Sequence, residues 1–248
     1  MSLHPLRIGL AGVMGLLMAV FAAPAAEPTD FGEAIVAQPD RSSADRLADN
    51  HRQPAKLIDF TGVQPGMTVL DMMAGGGYTS ELMARAVGGS GRVFVQSAPD
   101  SPEKSRQALI ARLAEPAMAN VSLAETPLEA PVPFGVHTLD LITLILNYHD
   151  ITYLPVDRAK MNKAMFDGLK SGGVLVIVDH AGAPGSGTTV GKTLHRVEES
   201  ALIAEVEAAG FRKVAEADFL RQPTDPRDQP FFRLDSPTDQ FVVKFQKP

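Results

Sequence analysis

The segment Val69-Leu70-Asp71-Met72-Met73-Ala74-Gly75-Gly76-Gly77-Tyr78-Thr79-Ser80 carries the most specific chemistry in this sequence. A buried-type run ends in an acid, three consecutive glycines follow, and a helix is expected to open near Thr79-Ser80. Glycine reaches positive φ without a Cβ penalty and lets a backbone approach a ligand closely. The helix start adds free N–H groups and the positive end of a dipole, which together favour a carboxylate or a phosphate. The dinucleotide fingerprint Gly-x-Gly-x-x-Gly is not met, because Met72-Met73-Ala74 intervene and the third glycine spacing is missing. The phosphate-loop Gly-Lys-Ser/Thr is absent as well. The bland alternative is a glycine-rich turn with no ligand, disfavoured because successive glycines weaken a chain unless the backbone geometry requires them.

A second set of reactive side chains falls at expected strand ends: Asn147-Tyr148-His149-Asp150, Val178-Asp179-His180 and Leu194-His195-Arg196. Three of the six histidines therefore map to one edge, with His51 a further candidate from the N-terminal segment. Histidine titrates near neutrality and suits proton transfer. His149, Asp150, Asp179 and His180 are also donors that suit Zn or Fe, but no His-x-x-x-His or similar spacing supports a metal site, and none is expected. The structural alternative is that these residues hold loops by hydrogen bonds.

Elements that could position these groups follow from the hydrophobic pattern. Short apolar runs at 67–72, 92–95, 121–124, 139–146 and 174–178 read as buried strands. They alternate with helical segments near 79–87, 157–169 and 198–209, and with one that Ser101-Pro102-Glu103 opens, Pro102 being its first helical residue. Near-continuous apolar strands between amphipathic helices imply a parallel sheet covered on both faces. The last two strands, 214–220 and 241–245, are joined by a Pro-rich loop, Gln222 to Gln240, with no convincing helix. An antiparallel excursion at the sheet edge is the simpler connection. That loop, with Phe231 and Phe232, is either a pocket cover or a stiff surface connection. The fold class is thus α/β, doubly wound, with seven mostly parallel strands and an antiparallel last strand. The expected organisation is residues 1–25 as signal peptide, 26–55 as an N-terminal helical segment and 56–248 as one ligand-binding domain.

The chain has 248 residues, is 45% hydrophobic and 21% charged, and carries a formal charge of -6. An acidic balance, no Lys/Arg block, no Trp and only 3 Tyr argue against a nucleic-acid surface and point to a small-molecule partner. The absence of cysteine removes disulfides, thiolate metal sites and Cys nucleophiles. The N-terminus has a weakly basic start, an apolar run of about 16 residues from Ile8 to Ala23, and then small-x-small Ala23-Pro24-Ala25. This reads as a signal peptide cut after Ala25, with a periplasmic destination and no stable membrane insertion afterwards. The run is shorter than the roughly 20 residues a spanning helix needs. Oligomeric state is not legible.

An acid at a strand end followed by Gly75-x-Gly77 resembles the first motif of class I S-adenosylmethionine-dependent methyltransferases. Leu139-Asp140-Leu141-Ile142 is similar to that family's fourth-strand motif. Leu169-Lys170-Ser171-Gly172-Gly173-Val174-Leu175 is similar to its Gly-Gly entry into the fifth strand. The resemblance runs from about Ala55 to Lys247. Within the family the chain resembles a group of exported bacterial predicted methyltransferases, through the three His-bearing segments quoted above. The resemblance implies S-adenosylmethionine as cofactor and methyl transfer to a small molecule. It implies that Asp71, Ala74, Gly75, Gly77, Tyr78 and Thr79 bind the cofactor on the first-strand side. Gln96, Ser97, Glu125 and Asn147 complete that set, Gln96 and Ser97 at the ribose and Glu125 at the adenine. His149 or His180 would be the base with Tyr148 orienting, and His195 and Arg196 would meet the substrate. Two departures stand out. Met73 replaces a usual glycine, and Gln96-Ser97 replaces the acid that normally holds the ribose, with Asp100 nearby as a substitute. The second departure leaves room for another reading, a non-catalytic ligand-binding or accessory protein on the same fold.

Overall fold

The computed structural model describes Met1 and residues 30–248. The expected signal segment and its cleavage site lie outside the described residues. Among those described, no helix is long and apolar enough to cross a membrane.

Seven strands form one sheet: β1 (Thr68–Met72), β2 (Arg92–Ser97), β3 (Val121–Glu125), β4 (Leu139–Ile145), β5 (Leu169–His180), β6 (Arg212–Ala217) and β7 (Gln240–Gln246). Their order is β3-β2-β1-β4-β5-β7-β6. The first five pair in parallel, and β7 runs antiparallel to both β5 and β6. The antiparallel strand is therefore not at the edge: β7 is inserted between β5 and β6, and β6 is the edge. The burial pattern agrees, since β6 has no buried residue whereas β7 buries Phe241, Val242, Val243 and Phe245.

The two-residue period of the strands sorts neighbouring apolar side chains onto opposite faces. Val69, Val93, Leu141, Val176 and Val242 pack on one face under α3 (Pro54–Thr61), α4 (Tyr78–Val87) and α5 (Glu103–Leu113), through Leu57, Ile58, Leu82, Met83 and Leu109. Leu70, Ile142, Leu175 and Val243 pack on the other, under α7 (Arg158–Gly168) and α9 (Glu199–Ala208), through Met161, Met165, Leu202 and Val206. Three short helices complete the set: α1 (Phe31–Val36), α6 (Tyr148–Ile151) and α8 (Gly191–Leu194). The sequence pattern does not resolve α6 and α8, because four residues carry too little periodicity.

The N-terminal region is fastened to the sheet layer. Ser42 caps α2 (Ser43–Arg52) by accepting from the Asp45 N–H at 3.0 Å. Pro54 restarts the chain as α3 after Gln53, which is left-handed. Gly32 donates to Asp59 at 2.9 Å, and a Cβ there would lie 2.2 Å from the Ala55 carbonyl oxygen, so α1 can approach α3 only because residue 32 is glycine. Element limits differ modestly from expectation. Pro102 is the N-cap of α5 rather than its first helical residue. β5 begins at Leu169, which pairs with Leu139 across a register shift.

Candidate functional site

The bend between β1 and α4 is held open by specific bonds. Its conformation needs positive φ at Met73 (48°), Gly75 (57°) and Gly77 (81°). Met73, a residue with a Cβ in the left-handed region, carries roughly 1 kcal/mol of backbone strain. Two side chains secure it. Gln96 accepts from the Met73 N–H at 3.0 Å and donates to the Thr126 carbonyl at 2.7 Å. Asn147 donates to the Met73 carbonyl at 3.1 Å and to the Ile145 carbonyl at 2.7 Å. Beneath the bend, Asp71 is buried and accepts from Ser80 at 2.6 Å and Thr143 at 2.7 Å. Burial raises its pKa from the ordinary carboxylate value to about 6, against the two hydroxyl bonds and the nearby Arg52 charge.

This bend separates two adjoining cavities at the carboxyl ends of the parallel strands, where ligands of open α/β sheets bind. One, of about 180 Å³, is lined by Arg52, Asp71, Ala74, Tyr78, Thr79 and Asn147, among others. The other, of about 390 Å³, is lined by Ser97, Asp100, Ser101, Leu128, Asp150 and Tyr153, among others. Met73, Ala74, Gly75 and Asn147 border both. A Cβ built on Gly75 meets nothing within 4 Å, so this glycine leaves the cleft free, whereas at Gly77 it would press on Leu109 and Arg112 at 3.0 Å. Tyr78 is held by its hydroxyl on Asp49 at 2.6 Å and carries the Arg52 guanidinium 4.6 Å from its ring centre. A larger cavity of about 710 Å³ lies behind the bend among Asp40, Glu81, Arg85 and Arg112. Asp40, Glu81, Arg85 and Arg112 already pair with one another or with Asp45.

Two of the expected cofactor contacts do not face the cleft. Gln96 is fully buried, and both ends of its amide are used as a strap between the bend and the loop after β3, so it is not available to a ribose. Ser97, the next residue, points the other way and lines the cleft with Asp100. Glu125 ends β3 exposed and borders neither cavity, and Leu128 stands on that wall instead.

His149, His180 and His195 cluster beside the 390 Å³ cavity. Asp179 is fully buried; its Oδ1 lies 2.5 Å from His149 Nδ1, and its Oδ2 accepts from the His149 backbone N–H at 2.8 Å. His149 Nε2 lies 3.2 Å from Asp150 Oδ1. Burial opposes a charge on His149, but the bonds to Asp150 and Asp179 override it and raise its pKa to about 9. Both ring nitrogens are thus already engaged by carboxylates. Burial instead lowers the pKa of His180 to about 4. Its Nδ1 pairs with Thr238 at 2.7 Å, and its ring stacks on Phe231 at 4.5 Å, so it too is poorly suited to take a proton.

Tyr148 points into the core, not towards a substrate. It donates to Glu205 at 2.7 Å and receives the Asn162 amide at 3.1 Å, with its pKa pushed up by burial. Arg196 is wholly buried and clamps the 222–240 loop through Asp225 at 2.8 Å, the Gln229 carbonyl at 2.9 Å and the Ala181 carbonyl at 3.0 Å. It is a structural clamp and not a substrate contact. His195 is partly exposed, 3.0 Å from Asp150, and flanked by Phe232 and Tyr153. His51 is exposed on α2.

The mostly parallel seven-stranded sheet with its antiparallel β7 and alternating helices matches solved proteins. A methyltransferase structure from Aquifex aeolicus described as S-adenosylmethionine-dependent superposes with a TM-score of 0.59, at 19% identity, covering 83% of this chain and 98% of that one. The chain carries the class I S-adenosylmethionine-dependent methyltransferase fold. The [4+2]-cyclase SpnF has this fold too, with a TM-score of 0.57, 16% identity and coverage of 83% of this chain and 82% of that one. Sequence likeness points the same way. The ubiquinone/menaquinone biosynthesis C-methyltransferase UbiE of Klebsiella pneumoniae is 32% identical over 122 residues, 49% of this chain and 46% of that one. UbiE of Salmonella arizonae is 28% identical over 163 residues, 64% of this chain and 62% of that one. The chain thus spans about half the length of the curated relatives it matches. No family model matches it.

Within this methyltransferase fold the cleft includes residues that sequence reasoning passed over. Arg52 reaches the cleft from the last turn of α2, far from any motif, and nothing in its local sequence signals that. Tyr153 was more accessible: it stands three residues after Asp150 and donates to it at 2.8 Å, a helical spacing readable from Asn147-Tyr148-His149-Asp150 onwards.

Proposed function

We propose that the chain binds S-adenosylmethionine across the two adjoining cavities and transfers its methyl group to a small molecule. The observation that carries this reading is the open bend at Gly75, whose missing Cβ borders both cavities. The residues present fit the cofactor. The small cavity pairs a buried carboxylate, Asp71, with a guanidinium, Arg52, which suits the amino-acid end of a zwitterion. The larger cavity, about 390 Å³, lies within the usual range of small-molecule pockets and offers Ser97, Asp100 and Leu128 to a nucleoside. When bound, the cofactor supplies an activated methyl group on a cationic sulfur. The protein's own part is to exclude water and aim the acceptor from the Asp150–Tyr153 side. A net charge of -6 and the absence of a basic block favour a small acceptor over nucleic acid.

Isothermal titration calorimetry with S-adenosylmethionine and S-adenosylhomocysteine tests this directly. Binding of either, lost on Gly75→Val, is the expected result; no heat from either ligand rejects the reading. A second reading, ligand binding without turnover, is favoured by the diversion of Gln96 from the ribose position and the lack of a neutral, accessible base among His149 and His180. Binding without methyl transfer to any of a panel of phenols, quinols and amines would select it.

A further inference from the structure

We propose that His149, Asp150 and His195 bind one divalent first-row transition-metal ion at the Asp150 side of the cleft. The three residues offer one ligand atom each, all within 4.8 Å of one another. Two of the separations, 3.2 Å from His149 Nε2 and 3.0 Å from His195 Nδ1 to Asp150 Oδ1, are already close. Ligand atoms on a tetrahedral ion with bonds of about 2.1 Å sit about 3.4 Å apart. Small rotations would seat the ion.

Three features make this more than a chance cluster. First, Asp179 fixes the His149 ring. It accepts from Nδ1 and from the residue's own backbone N–H, which turns Nε2 toward Asp150, where an ion would take the place of a proton. A carboxylate behind a ligating histidine is the usual second partner of such sites. Second, that Nε2 faces a carboxylate oxygen. Two acceptors at 3.2 Å repel unless a proton or a metal ion lies between them. The same oxygen also meets His195 Nδ1 and the Tyr153 hydroxyl, so positive charge is drawn to one point. Third, the backbone is built to bring His195 there. A Cβ at Gly191 would lie 2.0 Å from Thr152 Oγ1 and 2.5 Å from the His149 carbonyl oxygen, so only glycine lets α8 close on α6. His195 itself caps α8 in the left-handed region, at φ 49°.

Two imidazoles and one carboxylate suit Zn or Fe(II). Three protein ligands leave coordination positions open. Asp150 and Tyr153 also line the 390 Å³ cavity, so an open position would face a ligand there. Phe231 and Phe232 cover the other side of His149 and His195. An acceptor with an anionic oxygen, such as a phenolate or enolate, would complete the coordination. That last step rests on the methyl-transfer reading, whereas the ion itself does not. This set differs from the donors the sequence brought together, with His195 in place of Asp179 and His180.

The test is titration of the metal-stripped full chain with Zn²⁺ by calorimetry and with Co²⁺ by visible absorption, without any methyl donor. One equivalent bound, with d–d bands for Co²⁺, is expected. His195→Ala and Asp150→Asn should weaken binding at least 100-fold, Asp179→Asn by about 10–100-fold, and the exposed His137→Ala not at all. Circular dichroism identifies any variant that fails to fold, and the wild-type Co²⁺ spectrum stands regardless. No stoichiometric uptake by the wild type means that a proton occupies the position and overturns the proposal. So does a folded His195→Ala chain with wild-type affinity. Because no donor is present, failure here is separable from failure to bind S-adenosylmethionine.

Discussion

Lowering the pH from 7 to 5 should weaken S-adenosylmethionine binding about tenfold, through Asp71. In the empty cleft this carboxyl titrates at about 6, raised by burial. A cationic ligand beside it favours the ionised form, so binding below pH 6 must first release a proton. If only the ionised form binds, the apparent dissociation constant scales as one plus the protonated-to-ionised ratio. That factor is about 11 at pH 5 and about 1.1 at pH 7, a ratio near ten and about 1.4 kcal/mol. Arg52 is the other charged group on this cavity. Calorimetry at pH 5, 6 and 7 on the wild type and on Asp71→Asn reads the effect. The variant should bind more weakly at pH 7 and lose the slope. The stability consequence has a fixed sign. The folded-state pKa lies above the unfolded one, so this carboxyl stabilises the fold relatively below pH 4 and loses that contribution as pH rises to 6. Asp71→Asn should remove it, flattening stability over that window by up to about 3 kcal/mol. An equal pH slope of affinity in wild type and variant would refute the placement of the cation beside Asp71.

Other outcomes follow from the same structure. Gly75→Ala and Gly77→Ala should separate binding from folding. The first costs about 1 kcal/mol of stability through its positive φ and projects a methyl into the cleft, so thermal melts shift little while donor affinity falls more than tenfold. The second meets Leu109 and Arg112 at 3.0 Å, so its melt should shift more than that of Gly75→Ala. Arg196→Ala leaves Asp225 buried without its partner and should cost about 3–5 kcal/mol by chemical denaturation, with early proteolysis in the 222–240 loop. A wild-type proteolysis pattern would mean that other bonds secure the loop. Expression of the full chain with mass measurement of the secreted form should give an N-terminus at Ala26; an intact Met1 terminus on exported protein would reject cleavage after Ala25.

What could be read from the sequence was set by the backbone; what could not depended on how side chains commit themselves. The buried runs at 69–72 and 141–144 impose parallel strands, because apolar residues on both faces leave no solvated side. The glycines at 75 and 77 mark a bend whose φ values no other residue adopts cheaply. Those facts are local, and they placed the cleft. They also account for Met73, whose departure from the family's glycine appears as a strained φ secured by Gln96 and Asn147. Whether Gln96 faces a ligand or the bend cannot be read locally. A strand residue points to one face or the other, and one step along β2 exchanges Gln96 for Ser97.

The roles of the histidines are hidden from the sequence for a related reason. Sequence placed His149 and His180 correctly at neighbouring strand ends, but a histidine's function turns on which partners its two ring nitrogens hold. One buried residue, Asp179, separates the two. It bonds the His149 ring and so favours a cation there, while its only hydrogen bond to His180 is from the backbone N–H, and burial outweighs its charge at that ring. The pKa values consequently diverge, to about 9 and about 4, on either side of the value a proton-transfer residue needs at neutral pH. A pair pushed apart in this way is badly placed to exchange protons with a substrate and well placed to fix charge. With both His149 ring nitrogens on carboxylates and the His180 ring stacked on Phe231, a methyl acceptor for this cleft should arrive already ionised or become so on binding.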